Sequence, residues 1–195
     1  MPSPAELAKQ LQQAAAVLAP DNIARLVGVR AVQQAQDALE TEGETIGENW
    51  QDRIEGTPDN NRRLLLQRGN MYNAIRYRAA AGTVYIGVDG AAVPYAQIHN
   101  EGGKIAVTPK MRKYFWAKYY ENANRAAKKA DSTRDSDIRK YAKDNATAEF
   151  WKRLALTKKT AFDIPKRTFL QPDTAKLRTQ VSRDIDEALT RILRP

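Results

Sequence analysis

The chain has 195 residues, 32 Lys and Arg against 23 Asp and Glu, a formal net charge of +9, one His and no Cys. That length fits one domain, or one domain with an appendage, and 42% hydrophobic residues suffice for a modest packed core. Without Cys there are no disulfides, thiolate metal sites or cysteine nucleophiles, and a single His rules out a two-His metal site within one chain and leaves little for Ser-His-Asp chemistry.

Met1-Pro2-Ser3-Pro4-Ala5-Glu6 lacks the basic-then-apolar layout of a secretory signal, and no apolar run reaches the roughly 18 residues of a membrane span. The expectation is a cytosolic protein without membrane association, cofactor or enzymatic activity. Ser3, Pro4 and Glu6 form a capping-box pattern that opens a helix running to about Ala19, with Leu7, Leu11, Ala14 and Leu18 on one face. Pro20 breaks it, and Asp21 or Asn22 caps a second helix over about Ile23 to Thr41. Ile46, Trp50 and Ile54, spaced i, i+4, i+8, predict that helix to resume after Gly43.

Gly56-Thr57-Pro58-Asp59-Asn60-Asn61 reads as a loop, and Leu64 to Gly69 as a short helix or turn. Tyr72 to Ala79 and Thr83 to Val88 predict two strands joined by Ala80-Ala81-Gly82, the second rich in β-branched and aromatic residues. Pro94 to Asn100 predicts a short helical turn, and Ile105 to Thr108 a further strand. Two helices follow, over about Pro109 to Ala130 and Asp137 to Leu156. Pro165 biases Ile164 toward extended backbone, and Pro172-Asp173 opens a last helix with Leu177, Val181, Ile185, Leu189 and Ile192 as its apolar stripe.

The charge is localised. Residues 1–100 carry 9 basic and 11 acidic side chains, residues 101–160 carry 16 and 7, and residues 161–195 carry 7 and 5. A basic appendage facing one partner has this distribution. Within it, Lys110 to Tyr120 interleaves cations with five of the fifteen aromatics. Arg112, Lys113, Tyr114, Trp116 and Lys118 are accordingly candidates to face nucleic acid, cations on phosphates and rings on bases. The other reading of the same segment is an amphipathic helix in which Met111, Phe115 and Tyr119, or Trp116 and Tyr120, pack on the domain or a neighbouring subunit.

His99, the one imidazole, reads either as a general base with Glu101 or a Ser/Thr beside it, or as a packed side chain whose ring nitrogens bond backbone near a turn. Gly102-Gly103 has neither the P-loop nor the dinucleotide pattern and reads as a tight turn. Asp184, Asp186 and Glu187 form no metal-ligand pattern, and Arg183 and Arg191 stand near enough to pair with them.

The order of segments carries a resemblance. Leu66-x-x-Gly69-x-Met71-x-x-Ala74-Ile75 precedes Val84-Tyr85-Ile86-Gly87-Val88, then Pro94-Tyr95-Ala96-Gln97-Ile98-His99-Asn100-Glu101-Gly102-Gly103 and, after a spacer, Ile164-Pro165-Lys166-Arg167-Thr168-Phe169-Leu170. This series resembles the Mu-type phage virion morphogenesis proteins, the tail-completion or head–tail neck family, over about residues 20–103 and 161–195. Tyr95, Ile98, His99, Gly102, Gly103, Pro165, Arg167, Phe169 and Leu170 stand at the family's motif positions. Asn100-Glu101 departs from the family's usual Gln plus aromatic, Met71 replaces the usual Leu, and the spacer is not covered.

The resemblance implies an α+β fold with a small, largely antiparallel sheet flanked by N- and C-terminal helices. Residues 1–103 and 161–195 would form that domain, and 104–160 a basic helical-hairpin insertion. It further implies a structural virion subunit assembled in the host cytoplasm and placed at the head–tail junction, without catalysis or cofactor. Its expected partners are further copies of itself in a ring, as a hexamer, together with other neck, tail-tube, tail-terminator or connector proteins. Non-specific contact with DNA in the channel is a further expectation, and a nucleic-acid-binding module using 104–160 is the alternative.

Overall fold

The computed structural model describes residues 3–53, 57, 63–66 and 68–194, and the fold is α+β, with seven α-helices and two antiparallel two-stranded ladders among those residues. The chain divides into two units, one of Met1–Trp50, Leu65–Glu101 and Arg167–Pro195, the other of Gln51–Leu64 and Gly102–Lys166.

In the first unit, α1 (Pro4–Val17) begins with the capping box: the Ser3 hydroxyl accepts from the Glu6 N–H, and the Glu6 carboxylate accepts from the Ser3 N–H at 2.6 Å. Helix α2 (Pro20–Glu40) starts at Pro20 itself, with Ala19 as an N-cap that makes no side-chain hydrogen bond. Proline suits a first helical position because its missing N–H would be unpaired there in any case. Neither Asp21 nor Asn22, the two residues expected to cap α2, does so; Asn22 donates to the Val17 carbonyl at 3.0 Å and so satisfies the end of α1.

The predicted resumption through Ile46 and Trp50 does not occur. Gly43, at φ +95°, turns the chain into a 3₁₀ turn at Glu44–Ile46, and Trp50 folds back, buried, so close that a Cβ on Gly43 would sit 2.5 Å from its indole nitrogen. Ile54 and, Thr57 apart, the Gly56–Asn61 loop lie outside the described residues. Helix α3 (Asn70–Ala74) occupies the first part of the predicted Tyr72–Ala79 strand, burying Met71 and Ala74. Strand β1 is therefore Ile75–Ala80, while β2 is Thr83–Val88 as predicted. They pair from Ile75↔Val88 to Ala80↔Thr83. Ala81 and Gly82, at φ +49° and +74°, supply the left-handed pair of a two-residue type I′ hairpin.

Helix α2 lies against this hairpin. Approach is so close that a Cβ on Gly28 would come within 2.1 Å of the Tyr77 ring. Helix α7 (Thr174–Leu193) is capped by Asp173, whose carboxylate accepts from the N–H groups of Ala175 and Lys176, and it buries Val181. It packs on α1 and α2. Arg30 forks onto Asp184 at 2.7 and 2.5 Å, and the Gln34 amide donates to Gln180 at 2.9 Å. The Arg30 hydrogen bond holds the Asp184 carboxyl below the usual carboxylate range. Of the local pairings expected on this helix, Arg183 to Glu187 forms at 3.7 Å, but Asp184 is taken by α2. Helix α4 (Ala96–Glu101) completes this unit.

In the second unit, β3 (Gly103–Ala106) pairs antiparallel with β4 (Ala161–Ile164). Between them stand α5 (Pro109–Ala127), capped by Thr108, and α6 (Asp135–Ala155), which pack together as a hairpin. Phe115, Ala126, Ala148, Phe150 and Ala155 are buried. Because β4 pairs with β3, residues 161–166 go with the hairpin, as do 51–64, so this unit is larger than the expected 104–160 insertion.

Candidate functional site

The segments Tyr95–Glu101 and Arg167–Leu170 are more than sixty residues apart in sequence, yet they meet through directed hydrogen bonds in the first unit. The Arg167 N–H donates to the His99 carbonyl at 2.8 Å. One residue further, the Asn100 side-chain oxygen accepts from the N–H groups of both Phe169 and Leu170, at 3.1 and 3.0 Å. The Thr168 N–H donates to the Glu48 carboxylate at 3.3 Å. An extended segment has no ladder of its own, so each of its amides needs a partner, and here α4 and the loop after α2 supply them. Arg167, Thr168 and Phe169 are all buried, Phe169 to 1% exposure. Leu170 and Ile98 are half-buried and Tyr95 is exposed.

His99 stands edge-on to Tyr95, ring centroids 5.9 Å apart. Burial, followed by the Arg167 charge, pushes its imidazole below the usual histidine value, which favours the neutral ring. Its Nδ1 is buried with no hydrogen-bond partner, so the expected ring-to-backbone bond is absent at that nitrogen; it is the His99 carbonyl that engages backbone. Glu101, the acid considered beside it, accepts from Gln97 at 3.2 Å. Among the described residues, no group of three or more His, Asp and Glu side chains is placed to hold a metal ion. Gly102, Gly103 and Pro165 belong to the second unit, where Gly102 takes φ +74° and a Cβ would press within 3.0 Å of the Lys166 backbone nitrogen. Its tight-turn role is therefore both conformational and steric.

The cations of Lys110–Tyr120 divide into two kinds. Arg112 is half-buried, and its guanidinium donates to the carbonyls of Ala155, Thr157 and Lys159, with 2.5 Å to Thr157. It closes the C-terminal end of α6, where carbonyls lack helical partners. Lys118 pairs with Glu121 at 2.7 Å and lies 5.9 Å from the centre of the Tyr114 ring. Lys113 is exposed. Phe115 is buried, stacked on Trp151 and edge-on to Phe162, as the packing reading requires. Tyr114 and Tyr120 remain more than half exposed, and Trp116, half-buried, stacks on Tyr120 at 5.9 Å.

No family model, curated protein or solved structure matches this chain. The division of charge is sharper by structure than by sequence: the first unit has 12 basic and 13 acidic side chains, and the second has 20 and 10. In the second unit Lys110, Lys113, Arg139, Lys140, Lys158 and Lys159 are exposed, and no acid pairs with their charges among the described residues. An open cleft of about 560 Å³ in the first unit, lined by Val29, Asp37, Glu40, Tyr72 and Arg76 among others, takes in none of the candidate site residues. The residue that sequence reasoning missed is Asn100. It stood out only as a departure from a motif, although a lone amide side chain beside an extended segment is a ready acceptor for backbone N–H groups.

Proposed function

We propose that this chain is a structural subunit of a phage virion, acting at the head–tail junction as a neck or tail-completion protein and assembling with copies of itself into a ring. The observation that carries the reading is the meeting of the two resemblance segments. Four of the motif positions, His99, Arg167, Phe169 and Leu170, meet at one junction held by the His99 carbonyl and by the side chain of Asn100, itself a departure from the motif, and that junction ties two chain segments together rather than setting out reactive groups. Exposed apolar residues, Leu7 and Leu11 on α1 and Leu18 at its C-cap among them, suit a subunit that buries further surface against neighbours. In this role the basic unit faces DNA in the channel or an acidic partner protein.

Mass spectrometry and electron microscopy of purified particles test the proposal. The protein should be present in fixed copy number as a ring between head and tail. Its absence from mature virions would refute a structural role.

The net excess of ten cations on the second unit supports a second reading, a nucleic-acid-binding module. The discriminating variant is Lys110→Gln/Lys113→Gln/Lys140→Gln, which leaves Arg112 in its structural place. If these cations meet phosphates, the slope of log affinity against log salt should fall by about 1 per contact removed. Unchanged affinity and slope would exclude that surface.

A further inference from the structure

The β1–β2 hairpin has two edges that differ in protection. In its two-residue turn Ala80 and Thr83 form a hydrogen-bonded pair, and such pairs alternate along an antiparallel ladder. Arg78↔Tyr85 and Arg76↔Gly87 are then the other bonded pairs. The Asp89 N–H donating to the Ala74 carbonyl at 3.2 Å fixes the same phase from the far end. Consequently the N–H and C=O groups of Val84, Ile86 and Val88 point away from β1, toward the outer edge of β2. No hydrogen bond reaches them among the described residues.

The outer edge of β1 is blunted, because the Arg76 guanidinium donates to the Ile75 carbonyl at 2.8 Å and Arg78 adds a second charge to the strand. Edge strands are commonly guarded by charge, proline or a bulge. Strand β2, Thr83-Val84-Tyr85-Ile86-Gly87-Val88, has no charged residue and no proline, and its six-residue register is unbroken.

We propose that the outer edge of β2 docks a second copy of this chain, the two β2 strands pairing antiparallel about a two-fold axis at Ile86 to form a four-stranded sheet. Val84 then pairs with Val88 of the other copy, and Ile86 with Ile86. All three outward residues fall in bonded positions, giving about six backbone hydrogen bonds. Absence of charge is what selects a second copy: a neutral edge meets its own image without like-charge contact, whereas β1 would set arginines against arginines. This contact goes beyond the proposed ring, since a two-fold pairing closes on itself and a ring needs a head-to-tail surface. A missing ring in virions would leave it untouched.

Tyr85 and Gly87 lie on the face away from α2; Tyr85 is exposed, and a Cβ on Gly87 would meet nothing within 4 Å. In the dimer Tyr85 lies opposite Gly87 of the other copy. The variant Tyr85→Glu/Gly87→Glu therefore sets carboxylates against carboxylates across the dimer, yet each faces Arg78 or Arg76 within its own hairpin. The experiment combines light-scattering mass with residue-resolved amide exchange over a concentration series of the full chain.

As mass rises from one copy to two, the amides of Val84, Ile86 and Val88 should gain at least about tenfold protection, while those of Thr83, Tyr85 and Gly87 are protected throughout. The double-Glu variant should keep the latter protection and dimerise about tenfold more weakly. A chain that stays single, or that associates while the three outward amides exchange as in the monomer, overturns the proposal. So does protection of those amides that is indifferent to the double-Glu variant, because a different strand would then occupy the edge.

Discussion

Asn100→Ala is the most direct probe of the junction between α4 and the Arg167–Leu170 segment. The substitution removes one oxygen and with it two hydrogen bonds, to the amides of Phe169 and Leu170 at 3.1 and 3.0 Å. Each intact bond contributes only about 1 kcal/mol net, but a buried N–H left without a partner costs about 1–3 kcal/mol. Phe169 is almost completely buried, so its amide incurs that cost more fully than the amide of half-buried Leu170. The expected loss is about 2–4 kcal/mol, which for a domain near a hundred residues lowers Tm by about 10 °C or more. Urea denaturation monitored by tryptophan fluorescence measures it. Asn100→Asp keeps an oxygen in the same place and should lose less than half as much. A loss below about 0.5 kcal/mol for Asn100→Ala, or equal losses for the two variants, would refute the view that this acceptor holds the segment.

His99 should make stability pH-dependent in a defined direction. Its folded value lies below the unfolded value near 6.5, so between the two the unfolded chain binds more protons. Stability therefore falls as pH drops through 6.5 and levels off once the folded ring also protonates; paired urea titrations from pH 5 to pH 8 should show this slope in the wild type and not in His99→Phe. Gly28→Ala should destabilise by about 1–3 kcal/mol despite alanine's roughly 1 kcal/mol advantage in a helix, because its Cβ would come within 2.1 Å of the Tyr77 ring. Thermal melts of Gly28→Ala and of Gly28→Ala/Tyr77→Ala measure this, and failure of the second substitution to recover part of the loss would remove the ring as the cause.

What was legible in the sequence was local. The Ser3–Glu6 capping box, the Thr83–Val88 strand and the stripe from Leu177 to Ile192 are signals completed within a few residues of chain, and all three elements are present. What escaped depends on partners far away in sequence. Pro20 is equally compatible with ending one helix and starting the next, and only the donation from Asn22 to Val17 shows how the two share a boundary. Helical spacing of Ile46 and Trp50 was real, but it lost to a left-handed Gly43 and to burial of the indole over that glycine. At the candidate site, the position of the two segments could be read and the reason for their meeting could not, because one Asn side chain reaches amides some seventy residues on. Arg112 shows the same limit. The basic segment around it suggests phosphate, while the partners of its guanidinium are carbonyls at the end of α6.

The charge of the second unit has a consequence for its own stability as well as for its partners. Lys129 is matched by Asp144 of α6 and Arg112 by carbonyls at the end of α6, so these cations help hold the hairpin together, while Lys118 is matched by Glu121 within α5. The exposed lysines and arginines do not, and an excess of like charge on a small unit repels itself. Salt relieves that repulsion over a screening length of about 8–10 Å at physiological strength. The same salt weakens any contact with a polyanion by competing for it. Stability of this unit and affinity for an acidic partner should therefore move in opposite directions as salt is raised. Neutralising the exposed set should flatten both responses, whereas Arg112→Met should lower stability at every salt concentration and leave the slope of binding unchanged.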